Sequence, residues 1–443
     1  MRQMEVVRSD ARFMVGGEWT VARGDLSCLS RADGDDVTRS VVSSSGIAGR
    51  AERLLAARDV GRAELALEFE KAVASSVHLH VEGRNFYPPL LADVASAASS
   101  VHINQFGFRP GVVGDRFAAA LIAKAQSGVP VRVIVDRQGS DPERGSREFF
   151  ERMTDAGVQV CVARAIQPRA VRGPLHAGGA TGWNLGGLGH IDHRKVVIVD
   201  GHIGWVGGAG IEDHFENGEF HDLFVRVEGP VVAQLQLVFV ASLRWLGGRI
   251  PASSVAELFP PLDVGPSPVS AVVLHNAPGR FRPITTAIAE LIDGAKDTLD
   301  VINPYVTDRG MIRRIVEAAR RGARVRMFVP ANPNNWACGA AEQFHHQRLL
   351  DAGVRILGYP KMLHAKAFVA DGEQVLVGTC NLEAWSLKRF FEIDIGFVSA
   401  DLVSQFEERF FTPAEAVSVD LQPPSTLKER ARAAAMAAIS PLL

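Results

Sequence analysis

Residues 193–201 read HRKVVIVDG, and residues 364–372 read HAKAFVADG. In both segments a histidine and a lysine two residues apart stand before four apolar residues and an Asp-Gly pair. Residues i and i+2 of a strand point to the same face, so each histidine should project together with its lysine. The apolar residues predict a strand buried on both faces, and Asp-Gly predicts a hairpin turn after it.

The sequence in front of each segment repeats as well. The corresponding stretches are VHINQFGF (101–108), RFAAALIAKAQSG (116–128) and VPVRVIVD (129–136) in one copy, and LDVINPYV (299–306), MIRRIVEAARRG (311–322) and ARVRMFVP (323–330) in the other. Each set predicts a strand, an amphipathic helix that ends at Gly128 or Gly322, and a second strand. Alternating strands and helices indicate an α/β fold, and a repeat this long indicates a duplicated domain.

The chain of 443 residues is too long for one ordinary core, which agrees with a duplication. We divide it into an N-terminal extension of loop and helices (1–75), a first repeat (76–262), a second repeat (263–415) and an amphipathic helical tail (416–443). The stretch 231–248 is apolar but contains two glutamines and an arginine, so we predict a buried helix there.

Composition excludes several classes of function. The formal net charge of −2 gives no bulk attraction to nucleic acid, so we expect no nucleic-acid partner. The four cysteines are scattered, without a CxxC pair, which argues against a structural zinc site. We find no signal peptide and no apolar run long enough to span a membrane. We therefore expect a cytoplasmic location.

Two His-Lys pairs suit chemistry at a phosphate. Imidazole acts as a nucleophile or as a general acid near neutral pH, and lysine binds phosphate oxygens as a compact positive charge. If the two copies pack about a pseudo-two-fold axis, both pairs meet in one cleft. One histidine then attacks phosphorus while the other protonates the leaving oxygen, and the lysines stabilise the charge. This chemistry requires no metal and no other cofactor.

Residues beyond each motif complete the candidate site. The motif residues are His193, Lys195, Asp200, His364, Lys366 and Asp371, and we assign both aspartates to support of the strand end. Further candidates lie in the turns and strands that follow. Thr379 and Asn381 are placed to offer a hydroxyl and an amide to the phosphate, and Gly208 fills a turn. Glu392 follows His364 by 28 residues and Asp222 follows His193 by 29. We predict that each of these carboxylates holds a ring nitrogen of the histidine that it follows.

The doubled HxKxxxxD motif resembles the signature of the phospholipase D superfamily over roughly residues 75–415. Stretches such as INPYVTD, MLHAKAFVADGEQVLVGTCNLEAWSL and FFEIDIGF are most similar to bacterial cardiolipin synthases. The resemblance implies two α/β/α sandwich repeats packed about a pseudo-two-fold axis, with the active site at their interface. It also implies phosphatidyl transfer through a phosphohistidine, with His193 as the nucleophile and His364 as the acid. A phospholipid such as phosphatidylglycerol is the implied substrate.

The sequence departs from this family at two points. The family usually has an asparagine where this chain has Gly210, and bacterial cardiolipin synthases commonly carry N-terminal transmembrane helices. We expect peripheral contact with the inner face of the cell membrane. The C-terminal tail, which starts with the capping pair Thr426 and Glu429, and the glycine-rich loop 171–189 are candidate contacts. The alternative for the tail is a helix docked on the protein's own surface.

Three other functions remain open from the sequence. A phospholipase D hydrolase would pass the phosphatidyl group to water with the same four residues. A nuclease of the same superfamily would act on nucleic acid, against which the near-neutral charge argues. A binding module without catalysis would be expected to have lost one His-Lys pair, whereas both pairs are intact.

Overall fold

The computed structural model describes residues 12–15, 18–21, 46–61, 63–164, 191–279 and 281–442. The strands are β1 (Arg12–Val15), β2 (Glu18–Val21), β3 (Ala72–Ala74), β4 (Ser76–Val81), β5 (Val101–Gln105), β6 (Val131–Asp136), β7 (Gln159–Ala163), β8 (Lys195–Val199), β9 (Ile203–Gly207), β10 (Phe220–His221), β11 (Leu223–Glu228), β12 (Val269–Asn276), β13 (Thr298–Ile302), β14 (Arg324–Pro330), β15 (Arg355–Tyr359), β16 (Met362–Leu363), β17 (Ala367–Ala370), β18 (Gln374–Gly378), β19 (Glu392–Val398) and β20 (Val419–Asp420).

The helices of the described residues cover the faces and ends of these strands. They are α1 (46–56), α2 (Gly83–Ser96), α3 (Val112–Gln126), α4 (Arg137–Ser140), α5 (Arg147–Asp155), α6 (Asp213–Glu216), α7 (Val231–Trp245), α8 (Val255–Leu258), α9 (Pro283–Gly294), α10 (Arg309–Arg321), α11 (Trp336–Asp351), α12 (Ala384–Lys388), α13 (Ala400–Phe406), α14 (Thr412–Val417) and α15 (Leu427–Ile439). A π-helical turn, Glu407–Phe411, joins α13 to α14.

Two large sheets repeat the same strand order, as the duplicated sequence predicts. Within the described residues, the first sheet runs β4-β11-β9-β8-β5-β6-β7, and the second contains the run β12-β19-β18-β17-β13-β14-β15. In the first sheet β5 and β6 are parallel, and β8, which follows His193, pairs antiparallel with β5. In the second sheet β13 and β14 are parallel, and β17, which follows His364, pairs antiparallel with β13. The predicted α/β class and the two related halves are confirmed.

The helices between parallel strands end as the sequence predicts. Gly128 follows α3 with φ +90°, and Gly322 caps α10 with φ +110°, a left-handed conformation that favours glycine. Phe117 and Leu121 of α3 are buried, as are Ile312 and Ile315 of α10. These helices therefore cover one face of each sheet with the apolar stripe that the sequence shows.

Helix α7 lies between the two sheets. All of its residues from Val231 to Leu243 are buried, which confirms the buried helix predicted for the apolar stretch. One continuous core cluster contains residues of both sheets, including Val206 and Val225 of the first and Val377 and Ile395 of the second. The halves thus share a core rather than touching at a polar surface.

Short strands from outside the predicted repeats form both edges of the second sheet. Strand β3 pairs with β12, so residues 72–74 of the predicted N-terminal extension belong to the second sheet. Strand β20 pairs with β15 from within the predicted tail. Helix α15 begins with the expected capping box and buries Ala433 and Ala437. It packs along α11, so the tail docks on the protein's own surface.

Candidate active site

Each histidine lies just before a buried strand, and its lysine lies at or next to the strand's first residue. Lys195 opens β8, and its Nζ donates to the carbonyl oxygen of His193 at 2.6 Å. Lys366 precedes β17 and donates to the carbonyl oxygen of His364. Both lysine side chains are buried. Because side chains alternate between the two faces of an extended chain, each histidine and its lysine point to one face, as predicted. Each lysine ammonium also holds the backbone carbonyl of its own histidine.

Two short parallel pairings join the halves directly beside these histidines. The backbone N–H of His193 donates to the carbonyl of Phe391 at 2.9 Å, and that of His364 donates to the carbonyl of His221 at 2.8 Å. Strand β10 pairs with β16 in the same way that Asp192 pairs with Phe391. The residue before each histidine therefore pairs with the residue before a carboxylate of the other half. Each histidine thus lies opposite that carboxylate.

The carboxylates are exchanged between the halves. The Nδ1 atom of His193 lies 3.0 Å from Oε1 of Glu392, and Nδ1 of His364 lies 2.7 Å from Oδ2 of Asp222. The sequence predicted that Glu392 and Asp222 hold histidine rings, but it assigned each to the histidine of its own half. That assignment is wrong, because the two parallel pairings place each carboxylate opposite the other motif. Both histidines and both carboxylates therefore belong to one site.

Hydroxyl groups hold Glu392 in place. The Oγ1 atom of Thr379 donates to Oε2 of Glu392 at 2.6 Å, and Oγ of Ser386 donates to Oε1 at 2.6 Å. The sequence predicted that the Thr379 hydroxyl faces the phosphate, whereas the structure turns it to Glu392. Gly208, at the position that corresponds to Thr379, leaves room for Asp222, because a Cβ there would lie 2.4 Å from Oδ1 of Asp222.

Burial dominates the electrostatics of the site. It lowers the pKa of Lys195 to about 8 and the pKa of Lys366 to about 7, and it raises the pKa of Glu392 to about 7. Burial and the nearby lysines also lower the pKa of both histidines. The pKa of His364 falls to about 3, although the carboxylate of Asp222 acts to raise it. A phosphodiester bound beside the lysines would add negative charge, which opposes the downward pKa shifts of the lysines and histidines but adds to the upward shift of Glu392.

The aspartates of the motifs lie at the other end of their strands. Both have a positive φ, +55° for Asp200 and +51° for Asp371, in the turns after β8 and β17. The carboxylate of Asp200 accepts from the backbone amides of Ala98, Ser99 and Ser100 at 2.7–2.8 Å. Asp371 accepts in the same way from residues 296–298. The aspartates hold the loop that enters the neighbouring strand, and this is the support role that we expected.

Asn381 and its counterpart Gly210 differ between the halves. Asn381 is buried, and its Oδ1 atom has no hydrogen-bond partner among the described residues. An unpaired buried amide oxygen is costly, which fits an atom that a ligand satisfies. At Gly210 a side chain would displace the carboxylate of Glu212, since a Cβ there would lie 2.5 Å from Oε2 of Glu212.

Sequence reasoning missed several residues that shape the site. Gln105 is the last residue of β5 and Asn303 is the first residue after β13, and their side chains donate to the carbonyls of Ala209 and Cys380. Their positions in the repeated stretches were a signal for this role. Phe106 packs edge-on against His193, with ring centroids 4.8 Å apart, and Phe215 packs against His364 at 5.5 Å. No pattern in the sequence marked these two phenylalanines.

Two further features bear on what the site can bind. The described residues contain no group of three or more His, Cys, Asp or Glu side chains able to hold a metal ion. No helix within the described ranges is long and apolar enough to cross a membrane. The glycine-rich loop 171–189, which we named as a candidate membrane contact, lies outside the described residues.

Comparison with known proteins identifies a family that matches both halves of the chain. Residues 90–239 and 288–412, more than half of the chain, match the family described as "Cardiolipin synthase, PLD-like domain". The chain belongs to this family. The two matched ranges contain both His-Lys pairs and both exchanged carboxylates.

Curated members of the family cover most of this chain. Cardiolipin synthase A of Pseudomonas syringae pv. syringae is 28% identical over 357 residues, which are 78% of this chain and 70% of that protein. The major cardiolipin synthase ClsA of Bacillus subtilis is 27% identical over 349 residues, 75% of this chain and 68% of that protein.

The fold also has a solved relative. A crystal structure of phosphatidylserine synthase from Haemophilus influenzae superposes with a TM-score of 0.63 at 13% identity, covering 90% of this chain and 100% of that one. At this identity the likeness concerns the fold.

Proposed function

We propose that this family member is a phosphatidyltransferase of the cardiolipin synthase type that works through a phosphohistidine. The observation that carries the proposal is the exchange of carboxylates: each histidine is held at Nδ1 by a carboxylate of the other half, beside two buried lysines. A ring held at Nδ1 by a carboxylate keeps its proton there and presents Nε2 to the substrate. Two such rings can act as nucleophile and acid.

In the first step, Nε2 of His193 attacks the phosphorus of a phospholipid. The new N–P bond forms as the bond from phosphorus to the head-group oxygen breaks, and His364 donates its Nε2 proton to that oxygen. Lys195 and Lys366 lie where they can neutralise the phosphate oxygens in the transition state. The buried Asn381 can add a contact from its amide group.

In the second step, His364 takes the proton of an incoming hydroxyl group. The oxygen of that hydroxyl attacks phosphorus, and the N–P bond to His193 breaks, which returns both histidines to their starting state. With a second phosphatidylglycerol as acceptor, the products are cardiolipin and glycerol. With water as acceptor, the product is phosphatidic acid, so hydrolysis is the side reaction of the same intermediate.

The proposal includes peripheral contact with a membrane surface, because both substrates of such a reaction are lipids. We propose the inner face of the cell membrane as the location. Helix α15 docks on α11 but leaves the side chains of Leu427 and Ile439 exposed, at 85% and 43%. These are the large apolar side chains of α15 that are exposed and can reach an interface, and Val417 and Val419 earlier in the tail are exposed as well.

Phosphatidylglycerol vesicles test the proposed reaction. The purified protein should convert them to cardiolipin and release glycerol, which mass spectrometry of the lipids and an assay of free glycerol detect. His193→Ala and His364→Ala should each lower the rate by roughly a thousandfold or more. Phosphatidic acid as the sole product would assign a hydrolase instead. Cardiolipin formation that survives both substitutions would refute the proposed mechanism.

A further inference from the structure

Glu212 occupies a space that the two halves use differently. The segment GGAGIEDHF (207–215) corresponds residue by residue to GTCNLEAWS (378–386). Within these segments, Ile211 pairs with Phe108 and Leu382 pairs with Val306, so Gly107 corresponds to Tyr305 and Gly210 to Asn381. Where the second half has tyrosine and asparagine side chains, the first half has two glycines and the carboxylate of Glu212 between them.

The fit of Glu212 against these glycines is close. A Cβ on Gly107 or on Gly210 would lie 2.5 Å from the same atom, Oε2 of Glu212. Real Cβ atoms do not approach an oxygen so closely, so neither position accepts another residue while the carboxylate is there. The two glycines and the glutamate therefore form one arrangement, in which the carboxylate replaces the amide that the second half has at Asn381.

The corresponding glutamate of the second half has another role. Glu383 caps helix α12, because its carboxylate accepts from the backbone amides of Trp385 and Ser386 at 2.5 and 2.7 Å. Glu212 stands at the same position before α6 but makes no side-chain cap hydrogen bond. Its Oε1 atom lies 3.2 Å from Nε of Arg109, and its Oε2 atom lies 3.9 Å from Nε2 of His214. Within the described residues, no hydrogen bond reaches Oε2.

Glu212 borders the reacting groups. Gly107 follows Phe106, whose ring packs against His193 and lies 5.0 Å from Nζ of Lys195. Three residues after Glu212, Phe215 packs against His364, the proposed acid. The side chain of Glu212 remains 19% exposed. Glu212 also lies close enough to Lys195 to act on the pKa of that lysine, which it raises. The carboxylate is thus partly open and lies near a lysine of the proposed site.

We propose that Glu212 determines which head groups this site accepts, by accepting hydrogen bonds from hydroxyl or ammonium donors of the head group. This inference rests on the proposed function. A carboxylate repels phosphate oxygens, so its partner is the part of the substrate beyond the phosphate. Glycerol hydroxyls and the ethanolamine ammonium share the required chemistry, since both donate hydrogen bonds to a carboxylate. A methyl head group has no donor.

Three lipids that differ in the head group test this inference. Initial rates of head-group release are measured with vesicles of phosphatidylglycerol, phosphatidylethanolamine and phosphatidylmethanol. The wild type should prefer the two donor-bearing lipids by about tenfold to a hundredfold, the effect of one hydrogen bond to a charged group. Glu212→Ala should remove this preference and leave the phosphatidylmethanol rate within about threefold. Equal loss on all three lipids, or no loss on any, would overturn the inference.

Glu212→Gln separates the two sources of the preference. Glutamine keeps an acceptor oxygen but loses the charge, so a site that binds ammonium should lose most of its rate on phosphatidylethanolamine and little on phosphatidylglycerol. A site that binds hydroxyls should lose less than about tenfold on both. Glu383→Gln is the matched control: it should lower thermal stability and leave the ratios between lipids unchanged.

A pair of substitutions at position 210 tests the arrangement itself. Gly210→Asn alone should lower the melting temperature, because its side chain meets Oε2 of Glu212. Gly210→Asn combined with Glu212→Gly should regain most of the stability and show no head-group preference. A Gly210→Asn variant as stable and as selective as the wild type would contradict the inference.

The lipid assays also distinguish failure of this inference from failure of the proposed function. If the wild type acts on none of the three lipids, the proposed function fails. If an active Glu212→Ala variant keeps the wild-type ratios between lipids, only the role of Glu212 is rejected.

Discussion

At the scale of the residue, the partner of each histidine decides its chemistry. Glu392 holds His193 and receives two hydroxyl donors, from Thr379 and Ser386, whereas Asp222 holds His364 without hydroxyl donors among the described residues. The sequence identifies both carboxylates, because each follows its motif at nearly the same distance. It could not identify their partners, since these depend on two backbone pairings between the halves that leave no pattern in either segment.

A substrate with a good leaving group should separate the two histidines. A phosphatidyl ester of p-nitrophenol needs no proton on its leaving oxygen, so the acid becomes dispensable for the first step. We expect His364→Ala and Asp222→Asn to release p-nitrophenol within about tenfold of the wild-type rate in the first turnover. His193→Ala and Glu392→Gln should remain slow by at least about a hundredfold. The opposite pattern in a stopped-flow measurement would exchange the roles of the two histidines.

The lysines should give the reaction a pH limit on the alkaline side. Burial lowers the pKa of Lys195 to about 8 and that of Lys366 to about 7, so raising the pH above these values removes the ammonium charge. We expect KM for the lipid to rise as the pH increases from about 7 to 9, with kcat less affected. Lys195→Arg keeps its charge at these pH values, and its KM profile should be flatter. A KM independent of pH in the wild type would argue against phosphate binding by the lysines.

At the scale of the element, the longer strands and helices follow the repeated pattern and could be predicted. The helices α3 and α10 show their apolar stripe and terminal glycine in the sequence, and both were predicted correctly. The short strands β3, β10, β16 and β20 could not be predicted, because two or three residues carry no periodicity. Two of these, β10 and β16, join the halves beside His364. The site therefore depends on elements that the sequence pattern does not reveal.

The turns after β8 and β17 should matter for stability more than for chemistry. Asp200→Asn keeps a side chain that tolerates a positive φ but replaces the charged acceptor of three backbone amides. We expect the free energy of unfolding to fall by about 1–3 kcal/mol, measured by urea titration. The activity of the folded protein should stay within about threefold. Asp371→Asn should behave alike, and a large loss of activity at full stability would assign the aspartates to the chemistry.

At the scale of the whole molecule, the duplication predicts the pseudo-two-fold arrangement and the site at the interface. The duplication does not predict how extensively the two halves pack against each other. Helix α7 is buried between the sheets, one core cluster crosses from sheet to sheet, and β3 from the N-terminal region pairs with the second half. These contacts join segments far apart in the sequence, and no local signal marks them. The three boundaries that we drew between the four segments of the chain remain predictions.

The shared core should make the two halves unfold together. A first half on its own would expose the side of α7 that packs on β3 and β12 of the second sheet, although residues 231–243 are all buried in the whole protein. We expect one urea transition, with the same midpoint by far-ultraviolet circular dichroism, by near-ultraviolet circular dichroism and by loss of activity. Two separated transitions would show that each half is stable alone and that the shared core contributes little.

The position of the covalent adduct tests the central claim most directly, namely that the two halves form one phosphatidyl-transfer site. The protein is mixed with the p-nitrophenyl phosphatidyl ester, quenched in alkaline detergent and digested for mass spectrometry. His364→Ala should accumulate a phosphatidyl group on His193, because the second step lacks its base, and Glu392→Gln should abolish this adduct although Glu392 belongs to the other half. An adduct on His364 in the His193→Ala variant, or no adduct in any active variant, would contradict the account.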